Sequence, residues 1–202
     1  LEAALTELAD DESVNGILLQ LPLPANLDER SALKKIPVEK DVDGFSEENV
    51  GKLAMNRGGI AACTPLGVMK MLESAGTEIR GKRAVVIGRS NTVGRPMAML
   101  LLNADATVTV CHSKTQNLKE ICREADILIA AIGKKKFVTA DMVKDGATEL
   151  RLYDPAAMAF GEVLAAVPAP VRSVTAVTFP DSDIQDRIYM LCDLGDGGSR
   201  VQ

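Results

Sequence analysis

Four polar features of the 202-residue sequence have residue types and spacings suited to chemistry. The first is Gly88-Arg89-Ser90-Asn91-Thr92-Val93-Gly94, which comes directly after the apolar run Arg83 to Ile87 and leads into Pro96-Met97-Ala98-Met99-Leu100-Leu101-Leu102. A strand feeding a glycine turn and a helix start offers free backbone N–H groups and the positive end of a helix dipole, so it suits a phosphate. The second is His112-Ser113-Lys114-Thr115, at the end of the β-branched run Ala106 to Cys111. A site for NAD usually carries Asp or Glu about 20 residues beyond the turn, to hold the ribose hydroxyls. No acid stands there in this sequence. Arg89, Ser113 and Lys114 instead suit a 2′-phosphate, which favours NADP over NAD.

The third feature is Gln20, an amide inside the apolar run Val14 to Pro24. Buried, it needs hydrogen-bond partners or costs about 1–3 kcal/mol; an exposed strand end is the other reading. The fourth is the pair Asp41 and Asp43 in Lys40-Asp41-Val42-Asp43-Gly44-Phe45. Alternate residues of an extended segment point the same way, so two carboxylates could share one side. Asp and Gly are also common turn formers. The glycine turn is likewise open to two readings. Gly88 and Gly94 have five residues between them, whereas the usual dinucleotide motif sets three glycines within about six positions. A tight β-to-α turn without a ligand fits that spacing too, and Lys114 alone reads as a solvated loop lysine.

Positioning these groups requires strands at 83–87, 106–111 and 126–132, each a short apolar or β-branched run, with helices between them. That alternation predicts an α/β fold with a doubly wound parallel sheet, and ligands in such sheets lie beyond the strand carboxyl ends. Arg89, Ser113 and Gly133 all fall there. Upstream, Leu1 to Asp10 has the spacing of an amphipathic helix. Val14 to Pro24 reads as a buried strand stopped by two prolines. Leu27 to Ile36 reads as a helix capped by Asp28 or Ser31. Thr64 and Pro65 suit the cap and first position of a helix ending at Gly76. Downstream, Asn117 to Glu124 and Ala140 to Val143 read as helices. Leu150 to Tyr153 reads as a strand, Pro155 to Val167 as helical, and Asp193 to Gly198 as a flexible end.

Composition limits the function classes. Net charge of −5 and a pI near 5.0, with aromatics at 3% and no Trp, argue against a nucleic-acid surface. No apolar stretch reaches the roughly 18–20 residues of a membrane span. Cys63, Cys111, Cys122 and Cys192 show neither disulfide nor metal spacing, which points to a reducing cytoplasm, and one His without clustered ligands points away from a metal site. Leu1 opens inside a helical pattern, so an N-terminus further upstream is expected.

Taken together, GILLQLPLP at 16–24, KDVDGF at 40–45, CTP at 63–65, GRSNTVGRP at 88–96, ATVTVCHSKT at 106–115 and ADILIAAIG at 125–133 give a chain that resembles the bacterial type of the bifunctional methylenetetrahydrofolate dehydrogenase/methenyltetrahydrofolate cyclohydrolase family. The resemblance implies a Rossmann-like NADP-binding domain (63–148) beside part of an α/β catalytic, folate-binding domain (1–62). Residues 149–202 form a tail that does not match. It further implies NADP-dependent oxidation of 5,10-methylenetetrahydrofolate and hydrolysis of the product to 10-formyltetrahydrofolate. Tetrahydrofolate derivatives are then the substrates, and a homodimer is the expected assembly. By the same resemblance, Gln20 is the catalytic-site glutamine and supports a lysine of a Tyr-x-x-x-Lys motif. Leu19 and Leu21 flank it against substrate, Asp43 binds the pterin, and Gly88, Arg89, Ser90 and Ser113 contact NADP. His112 reads as structural. No Tyr-x-x-x-Lys motif precedes Gln20 here, and Thr148-Glu149-Leu150-Arg151-Leu152-Tyr153 replaces the family's Ile-Asp-Val-Gly-Ile strand. A catalytically inactive NADP-binding or subunit-interaction protein derived from the family is the alternative.

Overall fold

The computed structural model describes residues 1–134, 137–144 and four further strands between 148 and 192, the last by their backbone alone. The chain opens with helix α1 (Glu2–Asp10), α2 (Glu29–Leu33) and α3 (Glu47–Ala54). Asp28 caps α2 by accepting from the Arg30 and Ser31 amides, as its residue type predicts. Leu5, Ile17, Leu19, Ala32 and Ile36 form a small apolar core of their own here.

Helix α4 (Cys63–Ser74) then leads into β1 (Arg83–Ile87), α5 (Gly94–Asn103), β2 (Thr107–Cys111), α6 (Leu118–Arg123) and β3 (Ile127–Ala131). Both β2 and β3 pair with β1 in parallel, with Ile87 opposite Cys111 on one side and Ala130 on the other. Two apolar clusters cover the sheet. Val68, Leu72, Met97 and Leu101 of α4 and α5 pack on Val86 and Ile129. Cys122 and Met142 pack on Val85, Ile87 and Leu128. A sheet buried on both faces explains the near-continuous apolar runs of β1 and β3, and the doubly wound α/β expectation holds.

Beyond β3 the sheet continues with β4 (Thr148–Asp154), β5 (Ala159–Val163), β6 (Val171–Val177) and β7 (Ile188–Cys192), in the overall order β2-β1-β3-β7-β6-β4-β5. The strand expected at Leu150 to Tyr153 lies inside β4. Helix was expected over Pro155 to Val167, but Ala159–Val163 is a strand paired antiparallel with β4; the rest of that stretch, and Asp193 to Gly198, lie outside the described residues. A sheet neighbour thus overrides alanine's local preference.

Two more expectations change. Val14 to Pro24 is not a strand: it makes only the isolated parallel bridge Ile17↔Asp41 and bends at Leu21 and Pro22. Its neighbour is a one-turn helix (Val38–Lys40) and loop, so no ladder can propagate along it. Helix α4 begins at Cys63 after Ala62, with no side-chain cap, which moves Thr64 and Pro65 inside its first turn. The proline remains acceptable there because the first four helical N–H groups have no intrahelical partner.

Candidate functional site

The parallel register sets the glycine turn, the end of β2 and the end of β3 at one edge of the sheet. The Gly88 amide donates to the Cys111 carbonyl at 2.8 Å. Its φ of +118° suits glycine, and a Cβ built there would lie 2.1 Å from the Ala131 carbonyl oxygen. Gly88 is therefore required by the packing of the three strand ends as well as by any ligand approach.

Ser90 organises the start of the next helix. Its Oγ accepts from the amides of Val93 and Gly94, each at 3.2 Å, and its carbonyl accepts from Arg95. The first turn of α5 is thus capped from within, which corrects the expectation of free helical N–H groups at this point. The amides of Arg89, Ser90 and Asn91, one turn earlier, take no part in the backbone network of the described residues. These amides, the Ser90 hydroxyl proton and the exposed Arg89 guanidinium are the groups left to meet an anion.

At the end of β2, the His112 amide donates to Thr115 Oγ1 at 2.8 Å, and the Lys114 amide donates to His112 Nδ1 at 3.2 Å. This closed turn leaves Ser113 and Lys114 exposed. His112 serves the turn, consistent with a structural role. Arg89 and Ser113 stand two positions beyond the paired residues Ile87 and Cys111, so both leave the sheet at the same edge, and no acidic side chain intervenes in either turn.

The second group of candidates lies in the first part of the chain. The Ile17 amide donates to the Lys40 carbonyl at 2.7 Å, which lays the Gln20 segment alongside the aspartate loop. Gln20 is exposed and donates to the Leu21 carbonyl at 3.1 Å, so the exposed reading holds. Its neighbour Leu19 is 8% exposed and belongs to the apolar core, whereas Leu21 is half-buried.

Asp41 and Asp43 do not act as a pair. Asp41 is 4% exposed and turns inward. It accepts from the amides of Phe45 at 3.1 Å and Ser46 at 2.8 Å and from Asn49 Nδ2 at 2.9 Å. Burial alone would raise its pKa, but these hydrogen bonds outweigh it and hold the carboxyl below its ordinary value. Asp43 remains half-buried. Burial, and then the Asp41 charge, push its carboxyl above the ordinary value, offset in part by the Cys63 thiol. Among the described residues no cation forms a salt bridge with Asp43. The Cys63 thiol donates to the Val42 carbonyl at 3.9 Å, so the first turn of α4 touches this loop.

Residues that the sequence left unremarked hold the loop in place. Lys40 Nζ donates to the carbonyls of Leu8, Ala9 and Asp11 at 3.3, 2.7 and 2.8 Å, tying the loop to the end of α1. Asn49 is 2% exposed. An amide at an inward position of an amphipathic helix is the signal that could have found it. Among the described residues, no cluster of three or more His, Cys, Asp or Glu could hold a metal, and no helix is long and apolar enough to cross a membrane.

Residues 1–43 match the catalytic domain of tetrahydrofolate dehydrogenase/cyclohydrolase, and residues 62–150 match its NAD(P)-binding domain. The chain belongs to the tetrahydrofolate dehydrogenase/cyclohydrolase family. It is 60% identical over 145 residues to the bifunctional protein FolD of Campylobacter curvus, covering 72% of this chain and 50% of that protein. With FolD of Caldicellulosiruptor saccharolyticus the identity is 58% over 150 residues, covering 73% and 54%. The chain thus spans about half the length of the curated relatives it matches. Among solved structures, the Campylobacter jejuni FolD enzyme superposes with a TM-score of 0.70 at 45% identity, covering 79% of this chain and 57% of that one. The Trypanosoma brucei dehydrogenase-cyclohydrolase, complexed with NADP and an inhibitor, gives 0.69 at 35% identity, covering 94% and 58%.

Proposed function

We propose that this chain carries the NADP site and part of the folate site of a methylenetetrahydrofolate dehydrogenase/cyclohydrolase. The division is a folate-binding part at residues 1–62, an NADP-binding part at 63–148 and a tail at 149–202 that does not match the family, although its described strands continue the same sheet. Bound NADP supplies the hydride acceptor for the one-carbon unit. The substrate is 5,10-methylenetetrahydrofolate, and its oxidised methenyl product is hydrolysed to 10-formyltetrahydrofolate.

Within this reading, the exposed amides of the Gly88 turn and the Ser90 hydroxyl receive the pyrophosphate, while Arg89 and Ser113 take the 2′-phosphate. Gln20, flanked by Leu19 and Leu21, faces the reacting carbon. Leu21 supplies apolar contact, and Leu19 supports the segment from the core. Asp43 receives the N–H edge of the pterin. The observation that carries the reading is Asp43 itself: a half-buried carboxylate that, among the described residues, no cation meets in a salt bridge. Unspent acceptor oxygens in such a setting suit a ligand that donates two parallel N–H bonds. The family name of the relatives and the NADP-bound trypanosomal structure support the same assignment. A homodimer in the cytoplasm completes the proposal.

The test is to mix the purified chain with NADP and 5,10-methylenetetrahydrofolate and monitor NADPH, alongside separate binding titrations of NADP and folic acid. Binding of both with NADPH formation supports the enzyme. Binding of NADP without folate binding or turnover supports the alternative, an inactive nucleotide-binding protein. Failure to bind NADP contradicts both.

A further inference from the structure

The loop that presents Asp43 carries little regular structure, yet a single side chain holds several of its segments together. Asn49, in the first turns of α3, is 2% exposed. Its Nδ2 donates to Asp41 Oδ2 at 2.9 Å and to the Val38 carbonyl at 3.3 Å, and its Oδ1 accepts from the Ile60 amide at 3.3 Å. Both amide protons and the amide oxygen are engaged, so one side chain joins the residues before the loop, the loop itself and the returning stretch of chain at 60.

The loop has nowhere else to go. Asp41 spends its carboxylate on the amides of Phe45 and Ser46 and on Asn49, which closes the backbone around Asp43. Gly44 has φ of +66°, and a Cβ there would lie 2.3 Å from the Ile60 carbonyl oxygen, so the loop and the 60 segment are in direct backbone contact. Helix α3 is itself fixed to the nucleotide-binding part, because Asn103 Nδ2, at the end of α5, donates to the Leu53 carbonyl at 2.8 Å. Asn49 therefore refers the loop to the same helix that α5 grips.

We propose that Asn49 is a positioning residue for folate binding: by clamping Asp41, Val38 and Ile60 it holds the backbone that aims Asp43 at the pterin. This rests on the reading of Asp43 as the pterin ligand. Asn49 itself touches no ligand and acts only through the loop. Asn49→Asp puts a carboxylate against Asp41 and removes both donated bonds at nearly constant volume. The exchanged pair Asp41→Asn with Asn49→Asp restores a donor and an acceptor facing one another and removes the charge repulsion, but it leaves the Ser46 amide and the Val38 carbonyl without their partners.

The experiment uses the 202-residue chain and three readouts: folic acid affinity, NADP affinity, and hydrogen exchange at the amides of Phe45 and Ser46. Asn49→Asp is expected to weaken folic acid binding about tenfold and to speed exchange at both amides, with NADP affinity unchanged. The exchanged pair, which relieves only the repulsion between the two carboxylates, is expected to recover part of the folic acid affinity. Unchanged exchange in Asn49→Asp overturns the proposal, as does a parallel fall in both affinities. Asp43→Asn is the control for the underlying reading. If it binds folic acid as the unaltered chain does, Asp43 is not the pterin ligand and the positioning role falls with it, whatever the exchange data show.

Discussion

The glycine turn and the aspartate loop both present polar groups at a rim, yet they are held by opposite means. The turn is held by repetition. Parallel strands β1, β2 and β3 fix Gly88 through backbone bonds and close packing, and Arg89 and Ser113 merely leave the sheet at its edge. The loop is held by individual buried side chains: Lys40 on the end of α1, Asp41 on two amides, and Asn49 on three segments. A backbone frame tolerates exchange of its outward side chains. A side-chain frame is lost with any one member.

That contrast orders the expected effects of substitution. Gly88→Ala is the most damaging change, because φ is positive and the added methyl would meet the Ala131 carbonyl. It is expected to destabilise the chain by at least about 3 kcal/mol and to abolish NADP binding, as read by denaturant unfolding and calorimetry. Asp41→Ala comes next. It orphans two amides and the Asn49 donor, and about 2–3 kcal/mol of stability should be lost, with folic acid affinity falling and NADP affinity retained where the chain remains folded. The lowered pKa of Asp41 also sets a pH dependence. Its contribution is present above the ordinary carboxylate range and is lost as pH falls through the depressed folded value. Asp41→Asn should flatten that acid limb in unfolding titrations.

The same division decides how much was legible in the sequence. The β1-turn-α5-β2 unit was readable almost to the residue, because valine- and isoleucine-rich runs alternate with a helix and a glycine, and each signal is local. The strand assigned to Val14–Pro24 was not, because an extended run becomes a strand only when a neighbour offers a ladder, and here it finds a single bridge. Asp41 and Asp43 were legible as carboxylates but not as an inward and an outward one, since that depends on Asn49 and the amides of Phe45 and Ser46. The spacing of the turn could not reveal that Ser90 caps α5. Ala159–Val163 shows local composition losing to a sheet partner.

Smaller effects sharpen the comparison at the rim. Arg89→Ala should weaken NADP binding by about 1.5–3 kcal/mol, roughly 10- to 150-fold, and leave both NAD affinity and unfolding free energy unchanged, because the frame behind it is backbone. The Asp43 carboxyl is raised by burial and by the Asp41 charge, and pterin donors need its ionised form. Folic acid affinity should therefore climb as pH rises through the raised value and level off above it, and Asp43→Asn should remove the climb. The smallest expected change is a gain. Thr77 Oγ1, just past α4, is buried without a partner among the described residues. Thr77→Val should stabilise the chain by about 1 kcal/mol without altering either ligand affinity.

The most direct measurement is a crystal structure of this chain with NADP and folic acid bound together. The expected result is the 2′-phosphate against Arg89 and Ser113, the pterin edge on Asp43, and the nicotinamide facing the pterin beside Gln20. A nucleotide seated away from the Gly88 turn, or a pterin that leaves Asp43 in solvent, would contradict it.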